Sequence, residues 1–397
     1  MKKVLLTSIT LFSVLTLAAC QADEDTLEYS TSASSTVEST TASSEEATEA
    51  SSDATSGASE SEAGTIWISD GSEIGETQEI PAAGTIYMRQ LYTAPHGDRA
   101  FAITNVTMAG DTIISARMDE FQYIEDDGSG TWTGVPNSDA TFGESYPEGT
   151  ILAGKEENNE AYSEMMAESG ATLTWKDNME AITDFVAGKT AAEIQTSIDE
   201  LTGGSEVADV VTGATFADTA GYLQAIVDTA TKGMVSTGIE TSNTDLSEAM
   251  VLAAPHGDRS FAVVTVAMDG DVVANTFVDE FQYSDPASYG GVPNSDATFG
   301  EGVADGQVLA SKFANNEAYS EMMASSGGAT QTWMENVEAI DEFAKGKTID
   351  ELKAAVTELE GLSEDDSPTD VVTGATFSDS AGYLSAIIEA AEAAMNN

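Results

Sequence analysis

Apolar and polar residues alternate along 101–108 (FAITNVTM), pause at Ala109-Gly110-Asp111, and alternate again along 112–118. This pattern predicts two strands joined by a tight turn. The same design returns at 261–268, Asp269-Gly270-Asp271 and 272–278. Downstream, the period changes. Apolar residues fall at helical spacing over 160–168, 178–186 and 191–201. A last helix carries Leu223, Ile226 and Val227 at i, i+3, i+4, and Leu384, Ile387 and Ile388 repeat that stripe. Strands followed by helices predict an α+β fold, each copy an antiparallel sheet with flanking helices.

Much of the chain is one unit written twice. Ala94-Pro95-His96-Gly97-Asp98-Arg99 returns at 254–259, and Asp119-Glu120-Phe121-Gln122-Tyr123 at 279–283. GVPNSDATFGE occupies 134–144 and 291–301, NNEAYSEMMA 158–167 and 315–324, and DVVTGATF 209–216 and 370–377. The period of about 160 residues is too long for a solenoid and suits a whole domain. The expected organisation is 1–19 signal peptide, 20–63 tether, 64–231 first domain, 232–244 linker and 245–393 second domain.

The first 20 residues are an address. Lys2 and Lys3 precede a short apolar stretch and two alanines. No other apolar run approaches the ~20 residues that span a bilayer. Residues 21–63 are rich in Ser, Thr, Ala and Glu and lack Lys and Arg. Such a segment is expected to stay disordered, a tether on the order of 140 Å when stretched.

Charge narrows the function. The chain has 14 Lys+Arg against 69 Asp+Glu, a net charge of −55. Nucleic acid is excluded as a partner, because phosphate binding needs a basic surface. One Cys and two His exclude a disulfide within the chain and a multi-histidine metal centre.

The candidate chemistry sits where 209–215 and 370–376 feed the last helix of each copy. An apolar pair leads into Thr-Gly-Ala-Thr, which is expected to open that helix from a strand. Free N–H groups at such a corner suit a phosphate. Gly213 and Gly374 would let a ligand approach, and Thr215 and Thr376 would offer a hydroxyl. The plainer alternative is that these threonines only cap the helix.

D-x-x-T-G-A-T resembles the flavinylation motif of FMN-binding domains of the NqrC and RnfG type, from sodium-pumping and related redox complexes. The resemblance implies covalent FMN, two per chain, on Thr215 and Thr376, installed by a flavin transferase that uses FAD and Mg²⁺. Asp209, Thr212, Gly213, Ala214, Asp370, Thr373, Gly374 and Ala375 match the recognition positions. It also implies that the fold is two tandem homologous FMN-binding domains. Leu17-Ala18-Ala19-Cys20 resembles a bacterial lipobox, which implies acylation of Cys20 and a lipid anchor on the extracellular face of the cell membrane.

The whole layout resembles the electron-carrying lipoproteins of Gram-positive bacteria and the related sex-pheromone-precursor lipoproteins. That implies an electron carrier, rather than a catalyst with its own substrate. Its partners would be a membrane quinone-linked electron donor and extracellular electron acceptors. Residues 11–19 (LFSVLTLAA) would be a released pheromone peptide. The competing readings are a non-redox extracellular binding lipoprotein and a precursor valued for that peptide alone.

Other residues carry two readings each. His96 and His256, each followed by Gly-Asp-Arg, border the flavin or form a turn with a surface Asp–Arg pair. Asn137-Ser138-Asp139 and Asn294-Ser295-Asp296 bond a flavin edge or shape turns. Tyr222 and Tyr383 stack on the ring or fill the core. Tyr162, Met165, Met166, Tyr319, Met322 and Met323, with Trp175 and Trp333, are expected in the core.

Overall fold

The computed structural model describes residues 80–396, apart from 127, 364 and 365. The signal peptide, Cys20 and the tether at 20–63 lie outside the described residues. No helix among the described residues is long and apolar enough to cross a membrane.

The architecture is mixed α/β, with two antiparallel sheets and flanking helices. The first sheet contains β1 (Thr85–Thr93), β2 (Ala100–Ala109), β3 (Thr112–Glu125), β4 (Thr150–Gly154) and β5 (Met234–Glu240), in the order β4-β3-β2-β1-β5. Between β4 and β5 come α1 (Asn159–Glu168), α2 (Trp175–Val186), α3 (Ala191–Thr202), α4 (Val207–Val210) and α5 (Thr219–Lys232). The second sheet runs β6-β7-β8-β9, from β6 (Ser247–Ala253), β7 (Ser260–Asp269), β8 (Val272–Ser284) and β9 (Val308–Ser311). Its helices are α6 (Asn316–Gly327), α7 (Trp333–Ala344), α8 (Ile349–Glu360) and α9 (Ser380–Asn396).

The central strands are buried on both faces. Along β2, Ala102, Val106 and Met108 pack with the helices of their own repeat, while Phe101 and Ile103 join the core of the other repeat. α5 lies on β1 and β2, and α9 on β6 and β7. The layers are therefore helices, sheet, sheet, helices. Pairing brings Phe101 opposite Phe121 and Phe261 opposite Phe281. Those rings stack at 5.3 and 5.2 Å. Across the repeats, Phe121 lies 5.8 Å from Phe261 and Phe101 lies 6.1 Å from Phe281. The Tyr123 and Tyr283 hydroxyls meet at 2.5 Å. Tyr123 meets its own counterpart, and the phenylalanine contacts are reciprocal, as in an isologous dimer contact, here within one chain.

Two expectations change. Residues 232–244, read as a linker, contain β5, which pairs with β1 and lies against β8. There the Ser236 hydroxyl donates to the Thr276 carbonyl at 2.7 Å. The strand expected at 112–118 continues to Glu125, and its counterpart to Ser284. Asp119 and Glu120 look like a strand end, yet both are buried. Lys155, also buried, donates to Glu120 at 2.7 Å and offsets its charge. Trp175, Trp333, Tyr162 and Tyr319 are core residues, whereas Met165 is exposed. It falls on the outward side of α1.

Candidate functional site

The threonine corners are built by α2 and α7. α2 starts at a capping box, in which Thr174 accepts from the Asp177 N–H and Asp177 accepts from the Thr174 N–H. Thr332 and Glu335 do the same for α7. Helical spacing then puts Trp175, Asn178, Met179, Ile182 and Val186 on one buried face. Asn178 on that face reaches the corner. Its Nδ2 donates to the Thr174 carbonyl at 2.9 Å. Its Oδ1 accepts both the Thr215 N–H, at 2.7 Å, and the Thr215 hydroxyl, at 3.0 Å. In the second repeat, Asn336 Oδ1 accepts the Thr376 N–H at 2.6 Å and its hydroxyl at 2.9 Å.

The corner is not a strand-to-helix junction. Val207–Val210 is a short helix and Pro368–Asp370 a 3-10 turn. α5 begins only at Thr219 and α9 at Ser380. Thr215 and Thr376 therefore do not cap these helices. Buried Val211 and Ala214, like Val372 and Ala375, pin the loop between two helical segments. Gly213 has φ +96° and Gly374 φ +95°, a left-handed backbone that L side chains rarely adopt. A Cβ there would also meet Ala181 or Ala339 at 3.2 Å.

The recognition positions divide by exposure. Asp209, Thr212, Asp370 and Thr373 are exposed, as are Thr215 and Thr376, while Ala214 and Ala375 are fully buried. His96 joins the same segment: its Nδ1 lies 2.7 Å from Asp218 Oδ2, three residues after Thr215. His256 lies 2.6 Å from Asp379. The expected Asp–Arg surface pair is not the use made of Asp98 and Asp258. Their carboxylates accept from Thr298 and Thr141 of the opposite repeat. Asn137 and Asn294 are also turned to the opposite repeat, each in a left-handed conformation at φ 67°. Tyr222 and Tyr383 are core residues whose hydroxyls donate to Glu120 and Glu280, at 2.8 and 2.6 Å.

Chemically, each corner presents an oriented alcohol. The hydroxyl gives its proton to an amide oxygen, which leaves its lone pairs unengaged by that bond. Half-buried Phe216 and Phe377 adjoin the threonines and pack on Tyr222 and Tyr383, at 5.7 and 5.5 Å. An FMN phosphate joined to the hydroxyl therefore fits the corner, with an apolar surface beside it.

The surroundings of the two corners differ. A cavity of about 520 Å³ lies between β5 and α7 and reaches Ala339, the neighbour of Gly374. Phe277 and Phe313 line it, with Glu335, Glu338 and Asp341. The first repeat has Arg117 and Glu156 where the second has Phe277 and Phe313. Among the described residues no cluster of three or more His, Cys, Asp or Glu is arranged to hold a metal ion. Comparison with protein-family models, with curated proteins and with solved structures finds no match.

Sequence reasoning missed Asn178, Asn336 and the buried carboxyls. The signal for the asparagines was present: Trp-x-x-Asn stands at 175–178 and 333–336, placing a polar residue on an apolar helix face. Among the carboxyls, Asp119 is raised from 3.8 to about 8, first by burial and then by the charge of Glu156; N–H groups of Glu156 and Glu120 oppose the rise. Burial likewise lifts Asp279 to about 6, against hydrogen bonds from Ser311 and Tyr92, and Asp341 to about 7. A carboxyl that keeps its proton in the fold but loses it on unfolding favours the fold most at low pH. Stability should therefore fall as pH rises from about 4 through about 8, by up to about 1.4 kcal/mol per pH unit for each such group. Asp119→Asn retains an acceptor for both N–H groups and has no proton to lose. Urea unfolding at several pH values should show a shallower fall for this variant. Parallel curves for variant and wild type would contradict the assignment.

Proposed function

We propose that this chain is a cell-surface electron carrier whose two tandem, homologous FMN-binding domains hold FMN through phosphoester bonds at Thr215 and Thr376. The observation that carries the reading is the threonine–asparagine pair: an exposed hydroxyl, oriented by Asn178 or Asn336, beside a left-handed glycine. In the transfer reaction the threonine oxygen bonds the FMN phosphorus of FAD. The pyrophosphate link breaks, AMP leaves, and the hydroxyl proton passes to a base of the flavin transferase. The amide oxygen of Asn178 is no base, so the flavin transferase must accept that proton.

The chain's own residues then hold and expose the group. Gly213 and Gly374 keep the corner free of a Cβ, and Phe216 and Phe377 offer a surface for the ring. Bound FMN supplies one- and two-electron chemistry, which suits a link between a membrane quinone-linked donor and extracellular acceptors. A covalent bond retains the cofactor outside the cell. Acylated Cys20 and the acidic stretch 20–63 would anchor and extend the body from the membrane.

A binding lipoprotein is the second reading, and the observation in its favour is the cavity beside α7. Release of residues 11–19 as a pheromone is compatible with either reading and is carried by the sequence alone.

Co-expression with a flavin transferase, followed by intact-mass measurement, tests the proposal. The wild type should gain two FMN adducts, Thr215→Ala and Thr376→Ala one each, and the double variant none. A colourless, unmodified wild-type protein would leave the binding reading.

A further inference from the structure

Each threonine corner is braced from the opposite repeat. The loop between β1 and β2 divides its contacts. At its start it touches its own repeat. The Pro95 carbonyl oxygen lies 2.7 Å from where a Cβ on Gly221 would sit, and His96 meets Asp218. The remainder is gripped by the other repeat. Asn294 Nδ2 donates to the carbonyls of Gly97, at 2.9 Å, and Ala100, at 2.7 Å. The Phe299 N–H donates to the Asp98 carbonyl at 2.8 Å, and the Thr298 hydroxyl to Asp98 Oδ2 at 2.9 Å.

The mirror set is complete. Asn137 Nδ2 donates to Gly257, at 2.8 Å, and Ser260, at 2.7 Å. The Phe142 N–H donates to the Asp258 carbonyl at 2.8 Å, and Thr141 to Asp258 Oδ2 at 2.7 Å. The Pro255 carbonyl oxygen lies 2.5 Å from the Cβ position of Gly382, and His256 meets Asp379.

We propose that Asn294 is a positioning residue for the Thr215 corner and Asn137 for the Thr376 corner, so that each acceptor site is set crosswise by the other repeat. The bracing stands on the contacts alone; its effect on modification rests on the flavin reading above. The grip leaves little slack. Gly97, held by Asn294, is bonded directly to His96, and His96 holds Asp218 in the segment that continues from Thr215. One amide group secures two carbonyls, so its loss releases both. Two hydrogen bonds at the weak end of the ordinary range correspond to about tenfold more frequent opening of the loop.

Asn294→Gly and Asn137→Gly, made in the full chain, test this. Glycine adopts φ near +67° without strain, so each variant removes the donors and leaves the backbone path open. In unmodified protein carrying Asn294→Gly, amides of 96–100 and 216–222 should exchange about tenfold faster, while 256–260 and 377–383 stay unchanged. Asn137→Gly should reverse the pattern. With a flavin transferase present, Asn294→Gly should slow FMN addition at Thr215 more than at Thr376, and Asn137→Gly the opposite. An effect on the corner of the substituted repeat, or an equal effect on both, would overturn the proposal. If the wild type takes up no FMN at all, the flavin reading falls, and the exchange pattern alone decides the bracing.

Discussion

Lys312→Met should lower the stability of the fold by about 3–5 kcal/mol, because it leaves a carboxylate buried without a counter-charge. Lys312 Nζ lies 2.7 Å from Glu280 Oε2, with the two side chains 2% and 0% exposed. The same oxygen accepts from the Tyr383 hydroxyl at 2.6 Å and from Trp333 Nε1 at 3.3 Å. Burial, the largest influence, pushes the Lys312 ammonium down, but the charge of Glu280, the neighbouring Tyr319 and the hydrogen bonds to both together outweigh it, and the group is raised. Lysine therefore stays charged, and the pair binds β8, α7 and α9 at one point. The first repeat builds the same arrangement from Lys155, Glu120 and Tyr222. Denaturant unfolding measures the loss. A cost below about 1 kcal/mol, the range of exposed pairs, would contradict it.

Phe261→Ala should cost about 3–5 kcal/mol, through lost burial and the cavity it leaves. Phe261 is fully buried and touches rings from both repeats: Phe281 on its own side, Phe121 and Phe142 across the contact. Because this aromatic layer is shared, the loss should appear in both repeats together. Hydrogen exchange in β2 and in β7 should accelerate in parallel. Unchanged protection in β2 would contradict a shared core.

The strand pairs and the helices were legible in the sequence, because period-2 and period-3.6 patterns report which faces are buried. Phe101 and Ile103 alternate with Ala102 and Thr104 just as a strand requires. The contact between repeats was not legible. The pattern says that a face is apolar, not what covers it, and both faces of β2 are buried, so alternation did not announce the second sheet. GVPNSDATFGE and APHGDR stood out as repeated motifs, but the bonds between them run from one copy to the other. The corner was half legible. Thr215 and Gly213 were singled out, yet a β-rich reading of Asp209-Val210-Val211 missed the short helix there. Asn178, which orients the hydroxyl, lies 37 residues away in sequence; Trp-x-x-Asn marks it as a polar residue on an apolar face, but no local pattern says which hydroxyl it meets.

The central claim is a bond between a threonine oxygen and a flavin phosphate. Its most direct test is peptide mapping of the protein taken from its native cells. The account predicts flavin-bearing peptides that contain Thr215 and Thr376, each with the mass of an FMN ester. Both peptides recovered without the added mass would contradict it.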